Sequence, residues 1–200
     1  MKSDYVMKKY KVCMKIYNLL QLMCKQSYKN QEYAFKFIFS LVSHLGYGRF
    51  VSKCLAEILK GNEKLLYSLH KVTFTTSVVS VSYANLPIDA EKRTLISEIV
   101  NRIKEFRPYE KDEIFDLLKD ICLYNNQAIY INQDTIFRMM YEDVHFRTMH
   151  LIELSNDNDQ VFINHRGMSY PFDQFFQNEE STKSRKDIRF LKSQLDLYAT

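Results

Sequence analysis

Apolar side chains recur three and four residues apart along most of this chain, and that spacing, more than any motif, limits what it can fold into. Val6, Tyr10, Cys13, Tyr17, Leu20 and Cys24 fall on one helical face. After Asn30 the spacing returns in Ala34, Phe37, Ile38, Leu41, Val42 and Leu45, with Gly46 placed as a C-terminal cap. Phe50, Val51, Cys54, Leu55, Ile58 and Leu59 form a third stripe, stopped by Gly61-Asn62, and Leu65, Leu66 and Leu69 a short fourth. Beyond Pro87, Leu95, Ile96, Ile99, Val100, Ile103 and Phe106 make a strong helix ended by Arg107-Pro108, followed by Ile114, Leu117, Leu118, Ile121 and Cys122. With only 4 Gly and 3 Pro among 200 residues, tight turns are scarce and a many-stranded sandwich is disfavoured.

The remaining segments are less regular. Residues 72–83 are rich in Val, Thr and Ser without a helical stripe, and are expected as a loop or brief extended insertion. Asn132 or Asp134 is expected to cap a short helix through Ile136 and Met139. Residues 144–153 and 160–163 flank a polar turn at 155–159, which gives a short extended connector around 144–163. An apolar patch at 170–176 and a charged linker at 179–186 precede a last helix with the stripe Ile188, Leu191, Leu195 and Tyr198, which has no later chain to pack on. Successive helix pairs with one apolar stripe each need neighbours to bury it. The expected architecture is therefore mostly α: an α-solenoid of stacked helix pairs, one domain over residues 1–200 and part of a larger array, with a compact helical bundle as the alternative.

Composition excludes several functions. The formal net charge of +4 is too small to indicate nucleic acid. Lys2, Lys8, Lys9, Lys11, Lys15, Lys25 and Lys29 stand against the single acid Asp4, a pattern that suits solvated lysines. Cys13, Cys24, Cys54 and Cys122 lie among apolar neighbours without a CxxC or Cys/His pattern, and read as reduced core thiols. A leader peptide is not evident, and the longest apolar stretch, residues 35–45, is broken by Lys36 and His44 and too short to span a bilayer. His145 and His150 are close, with Glu142 and Glu153 nearby, yet match no metal motif, so metal and cofactor are both expected to be absent. Glu110, Asp112, Glu113 and Asp116 follow Pro108 and suit a helix N-terminus better than a catalytic carboxylate pair. Without a nucleophile and base or a glycine-rich phosphate loop, an enzyme is not expected.

Ser27-Tyr28-Lys29-Asn30-Gln31-Glu32-Tyr33 is similar to a Tyr-Arg-Lys-Asn-Gln-Glu-Tyr run of the inositol trisphosphate receptors. Gly46-Tyr47, Asn62-Glu63-Lys64-Leu65-Leu66, Phe115-Asp116-Leu117-Leu118-Lys119-Asp120-Ile121-Cys122, Asn126 and Gln133 follow in the same order. Near the end, Asp187-Ile188-Arg189-Phe190-Leu191-Lys192-Ser193-Gln194-Leu195-Asp196-Leu197-Tyr198-Ala199 looks like the helix that continues that domain. The chain thus resembles the RIH domain shared by the inositol trisphosphate and ryanodine receptors, closer to the former. That resemblance implies armadillo-like helical repeats in a tetrameric calcium-release channel, on the cytoplasmic face of the endoplasmic reticulum, with neighbouring domains of the same polypeptide as partners. It also implies inositol trisphosphate held between such a domain and a flanking β-trefoil by Arg and Lys. Lys29 matches the run's lysine, but Tyr28 stands in the arginine position and Ser27 in the tyrosine position, so this chain alone is not expected to bind. The runner-up is a free-standing helical-repeat scaffold that binds a protein through a groove or the 188–198 stripe.

Overall fold

The spacing of three and four becomes a row of stacked helices in the computed structural model, which describes residues 2–73, 94–105, 112–157, 159–165, 167–177 and 182–200. α1 (Lys2–Cys24), α2 (Tyr28–Phe35), α3 (Ile38–Val42), α4 (Arg49–Leu59) and α5 (Glu63–Leu66) come first. α4 carries its whole predicted stripe into the core, with Phe50, Val51, Cys54, Leu55, Ile58 and Leu59 all buried. It packs against α1, α2, α3 and α7 (Asp112–Ile121). α7 buries Ile114, Phe115, Leu117, Leu118 and Ile121 and lies between α4 and α11 (Thr182–Tyr198). One row therefore runs α1, α4, α7, α11. A second row runs from α3 through α6 (Leu95–Glu105) to α8 (Tyr130–Phe137) and α9 (Val144–His150). The fold is mostly α, and each inner helix of the first row is covered on both sides, as one-sided stripes require.

Several local expectations change. The helix predicted after Asn30 begins earlier, at Tyr28, and breaks at Lys36 and Phe37. The break turns Ile38 and Val42 into the core while Phe37 stays exposed, so burial overrides continuation of the helix. α8 starts at Tyr130 with Ile129 at its N-cap. Asn132 is not a cap, because its amide is drawn inside to serve two distant carbonyls. Along α1 only Tyr17 and Cys24 of the predicted stripe are buried; Val6, Tyr10 and Cys13 are exposed, because α4 and α2 cover the second half of that face.

The predicted connector at 144–163 is helix first and sheet second. Asp143 accepts a hydrogen bond from the Phe146 N–H and caps α9, whose Phe146 is buried. β3 (Glu153–Asp157), β4 (Gln160–His165) and β5 (Met168–Pro171) then form an antiparallel meander, in which Ser155 to Asp157 pair with Phe162 to Gln160 instead of forming an open turn. A smaller hairpin joins β1 (Leu123–Tyr124) to β2 (Gln127–Ala128), with Asn125 and Asn126 at φ 49 and 61 in the left-handed region that tight hairpin turns need. α10 (Phe172–Gln177) leads on toward α11.

α11 starts at Thr182, inside the predicted charged linker. Among its described side chains the buried ones are Phe190, Leu191, Ser193, Gln194 and Leu197, whereas Leu195 and Tyr198 are exposed. The helix packs through a face beside the predicted stripe: it lies along α7, with the rings of Phe115 and Phe190 edge to face at 4.9 Å. Residues 74–83 of the irregular segment, Pro87 and residues 106–110 lie outside the described residues.

Candidate functional site

Tyr28 and Lys29 occupy the first turn of α2, side by side and exposed, with Tyr28 at 62% of its full accessibility. The residues after them turn inward. Asn30 donates its side-chain amide to the Met23 carbonyl at 2.6 Å, closing the C-terminus of α1. Gln31 is buried and donates to the Glu57 and Lys60 carbonyls, both at 3.0 Å, where α4 leaves carbonyls without helical partners. Its oxygen accepts from Asn62 at 3.1 Å, and the Asn62 oxygen in turn accepts from the Leu65 N–H and caps α5. Lys64 pairs with Glu32 at 2.9 Å. Two runs far apart in the chain, 30–33 and 62–66, are thus one clasp that holds α1, α2, α4 and α5 together.

A concavity lies elsewhere. A groove of about 410 Å³ opens over α4, bounded by Gln21 of α1, by Lys53, Ala56, Glu57, Leu59 and Lys60 of α4, and by Asp120 of α7. It continues toward the start of α4, where Arg49, Ser52, Glu113 and Asp116 line a smaller hollow of about 100 Å³. Neither Tyr28 nor Lys29 reaches either hollow. Arg49 bonds Asp112 and lies 3.9 Å from Glu113. Burial by itself raises the Asp112 carboxyl, but hydrogen bonding with Arg49 and Glu113 and the charges of Arg49 and Arg189 outweigh it and hold the pKa below the usual range. Asp120 goes the other way. The residue is exposed at the rim, yet desolvation on its inner side and the charge of Asp116 push its carboxyl up, against the pull of Lys119 and Lys60.

This wall of carboxylates does not suit a polyphosphate, because Glu57, Asp116 and Asp120 offset Lys53 and Lys60. It also lacks a nucleophile beside a base. Among the described residues no three His, Cys, Asp or Glu side chains converge as metal ligands. Asp112 and Glu113 sit in the first turn of α7, the placement predicted for the acidic run, while Glu110 lies outside the described residues. Of the thiols, Cys24, Cys54 and Cys122 are buried, with desolvation pushing Cys54 and Cys122 up to about 12. Cys13 departs from the predicted core position and is exposed. No helix of the described residues is long and apolar enough to cross a membrane.

The core roles of three buried amides were not expected from the sequence: Gln31 and Gln194 stood only within runs of the resemblance, and Asn132 only as a cap candidate. Asn132 donates to the Leu66 and Ile121 carbonyls at 3.2 and 2.7 Å, joining the ends of α5 and α7 to α8. Gln194 accepts from the Ile152 N–H at 2.9 Å and donates to the Ile152 carbonyl at 2.7 Å, pinning α11 to the strand that follows α9. The only signal in the sequence was a polar residue on an otherwise apolar helical face. Compared with known families, residues 2–147 match the model of the RIH domain. No curated protein matches the chain.

Proposed function

The chain belongs to the RIH-domain family, helical domains found in the inositol trisphosphate and ryanodine receptor channels, and from that premise we propose that it is a cytoplasmic module of an inositol trisphosphate-gated calcium-release channel. In that role it couples ligand binding to gating as a lever. The observation that supports this reading is the family match over residues 2–147 together with the clasped row it contains. A row whose inner helices are covered on both sides, with helix ends tied by buried amides, moves as a block and passes displacement along its length.

The module works as part of a longer polypeptide on the cytoplasmic face of the endoplasmic reticulum, with neighbouring domains as its partners. Ligand contact is a minor part of its role. Lys29 offers one point charge, and Tyr28 replaces the bidentate fork that the related run has there, so inositol trisphosphate would be held only with a flanking trefoil.

Fractionation of the source cells followed by an immunoblot against residues 179–186 tests the proposal. A very large band in internal membranes supports it. A soluble band near 23.9 kDa overturns it and favours a free-standing scaffold.

A further inference from the structure

The meander β3-β4-β5 exposes apolar side chains on one of its faces. Paired positions and every second residue share a face, so Leu154, Val161, Ile163, Met168 and Tyr170 lie together. Only Ile163 is buried; Leu154 is 50% and Tyr170 39% exposed. The opposite face carries Glu153, Ser155, Asp157 and Asn164, together with the apolar Phe162 and Pro171. β3 is an edge, since among the described residues it pairs with β4 alone.

The direction in which that edge points can be deduced from Gln194. A strand residue sends its N–H and C=O to the same side, and successive residues alternate. Gln194 holds both the N–H and the C=O of Ile152, as a neighbouring strand would. Leu154 and Asn156 have the same parity as Ile152, so their backbone groups point outward along the edge that Gln194 begins to cover. Bare edges of this kind are templates for another strand, and this one has neither proline nor lysine to blunt it.

Charge decides what fits. Two copies joined through Leu154 and Asn156 about a two-fold axis would set Glu153 against the partner's Asp157, a like-charge pair that opposes self-association. Glu153 is already held by Arg147 at 2.7 Å, whereas Asp157 has no ion pair among the described residues. We propose that the β3 edge docks an extended peptide segment of another protein, with basic residues opposite Glu153 and Asp157 and apolar residues beside Leu154 and Asn156, which joins the sheet as an added strand.

The test uses the 200-residue chain, isotope-labelled for amide NMR, titrated with the peptide Lys-Val-Thr-Val-Lys and with Glu-Val-Thr-Val-Glu as its counterpart. The basic peptide should shift the Leu154 and Asn156 amides saturably, slow their hydrogen exchange, and bind about tenfold tighter than the acidic one, because two cross-strand charge pairs change sign. Asn156→Pro removes an outward donor and should abolish binding with the circular dichroism unchanged. Asp157→Lys, an exposed charge reversal, should shift the preference toward the acidic peptide even if the proline variant fails to fold. The proposal is overturned if those two amides do not respond at millimolar peptide, if both peptides bind equally, or if the chain alone dimerises through this edge.

Discussion

Replacing Gln31 with Leu leaves the Glu57 and Lys60 carbonyls at the end of α4 and the Asn62 amide without their partner, because this one side chain serves all three. We expect Gln31→Leu to lower unfolding stability by about 1–3 kcal/mol, the cost of stranded buried polar groups, read as a lower urea midpoint. Asp112 and Asp120 predict opposite pH effects. The Asp112 carboxyl is depressed in the fold, so its contribution is present above the ordinary carboxylate pKa and fades as pH falls through the depressed value. The Asp120 carboxyl is raised, so its charge destabilises the fold at neutral pH and the penalty vanishes as pH falls below the ordinary carboxylate pKa. Asp120→Asn should therefore raise the melting temperature at neutral pH and lose that advantage in acid, whereas Asp112→Asn should lower it at neutral pH and lose that deficit in acid. Melting curves across pH check both.

Among elements, α11 most directly tests how the row is held. It seats Phe190 against Phe115 and ties itself to Ile152 through Gln194. Truncating Phe190 to Ala removes a fully buried ring and should cost about 3–5 kcal/mol in chemical unfolding, unless the cavity collapses. If the loss were only that of an exposed side chain, α11 would not be part of the core. The pairing of α11 with α7 was hidden in the sequence because the spacing admits two neighbouring stripes. One runs through Leu195 and Tyr198; the other runs through Phe190, Gln194 and Leu197, and the latter reads as polar until Gln194 is seen to bond backbone.

On the scale of the molecule, the proposed lever role predicts that the purified chain shows no saturable heat with inositol trisphosphate at micromolar concentration in calorimetry. Stoichiometric binding would mean that Lys29 and Tyr28, exposed and outside the groove, form a phosphate site without the missing arginine. Helix content, the identity of α4, α6 and α7, and the family were legible from residue spacing and short runs, because an apolar stripe three and four residues apart is a local property of the chain. The roles of individual residues within those runs were not. Asn30, Gln31 and Glu32 are recognisable as a run, but that they close helix ends depends on Met23, Lys60, Asn62 and Lys64. Those bonds join residues 31 apart for Gln31 and Asn62, 42 for Gln194 and Ile152, and 66 for Asn132 and Leu66. Local periodicity settles which segments coil and which face is apolar; which polar side chains enter the core, and that β3, β4 and β5 pair as a sheet, is settled only when distant backbone groups meet and must be satisfied.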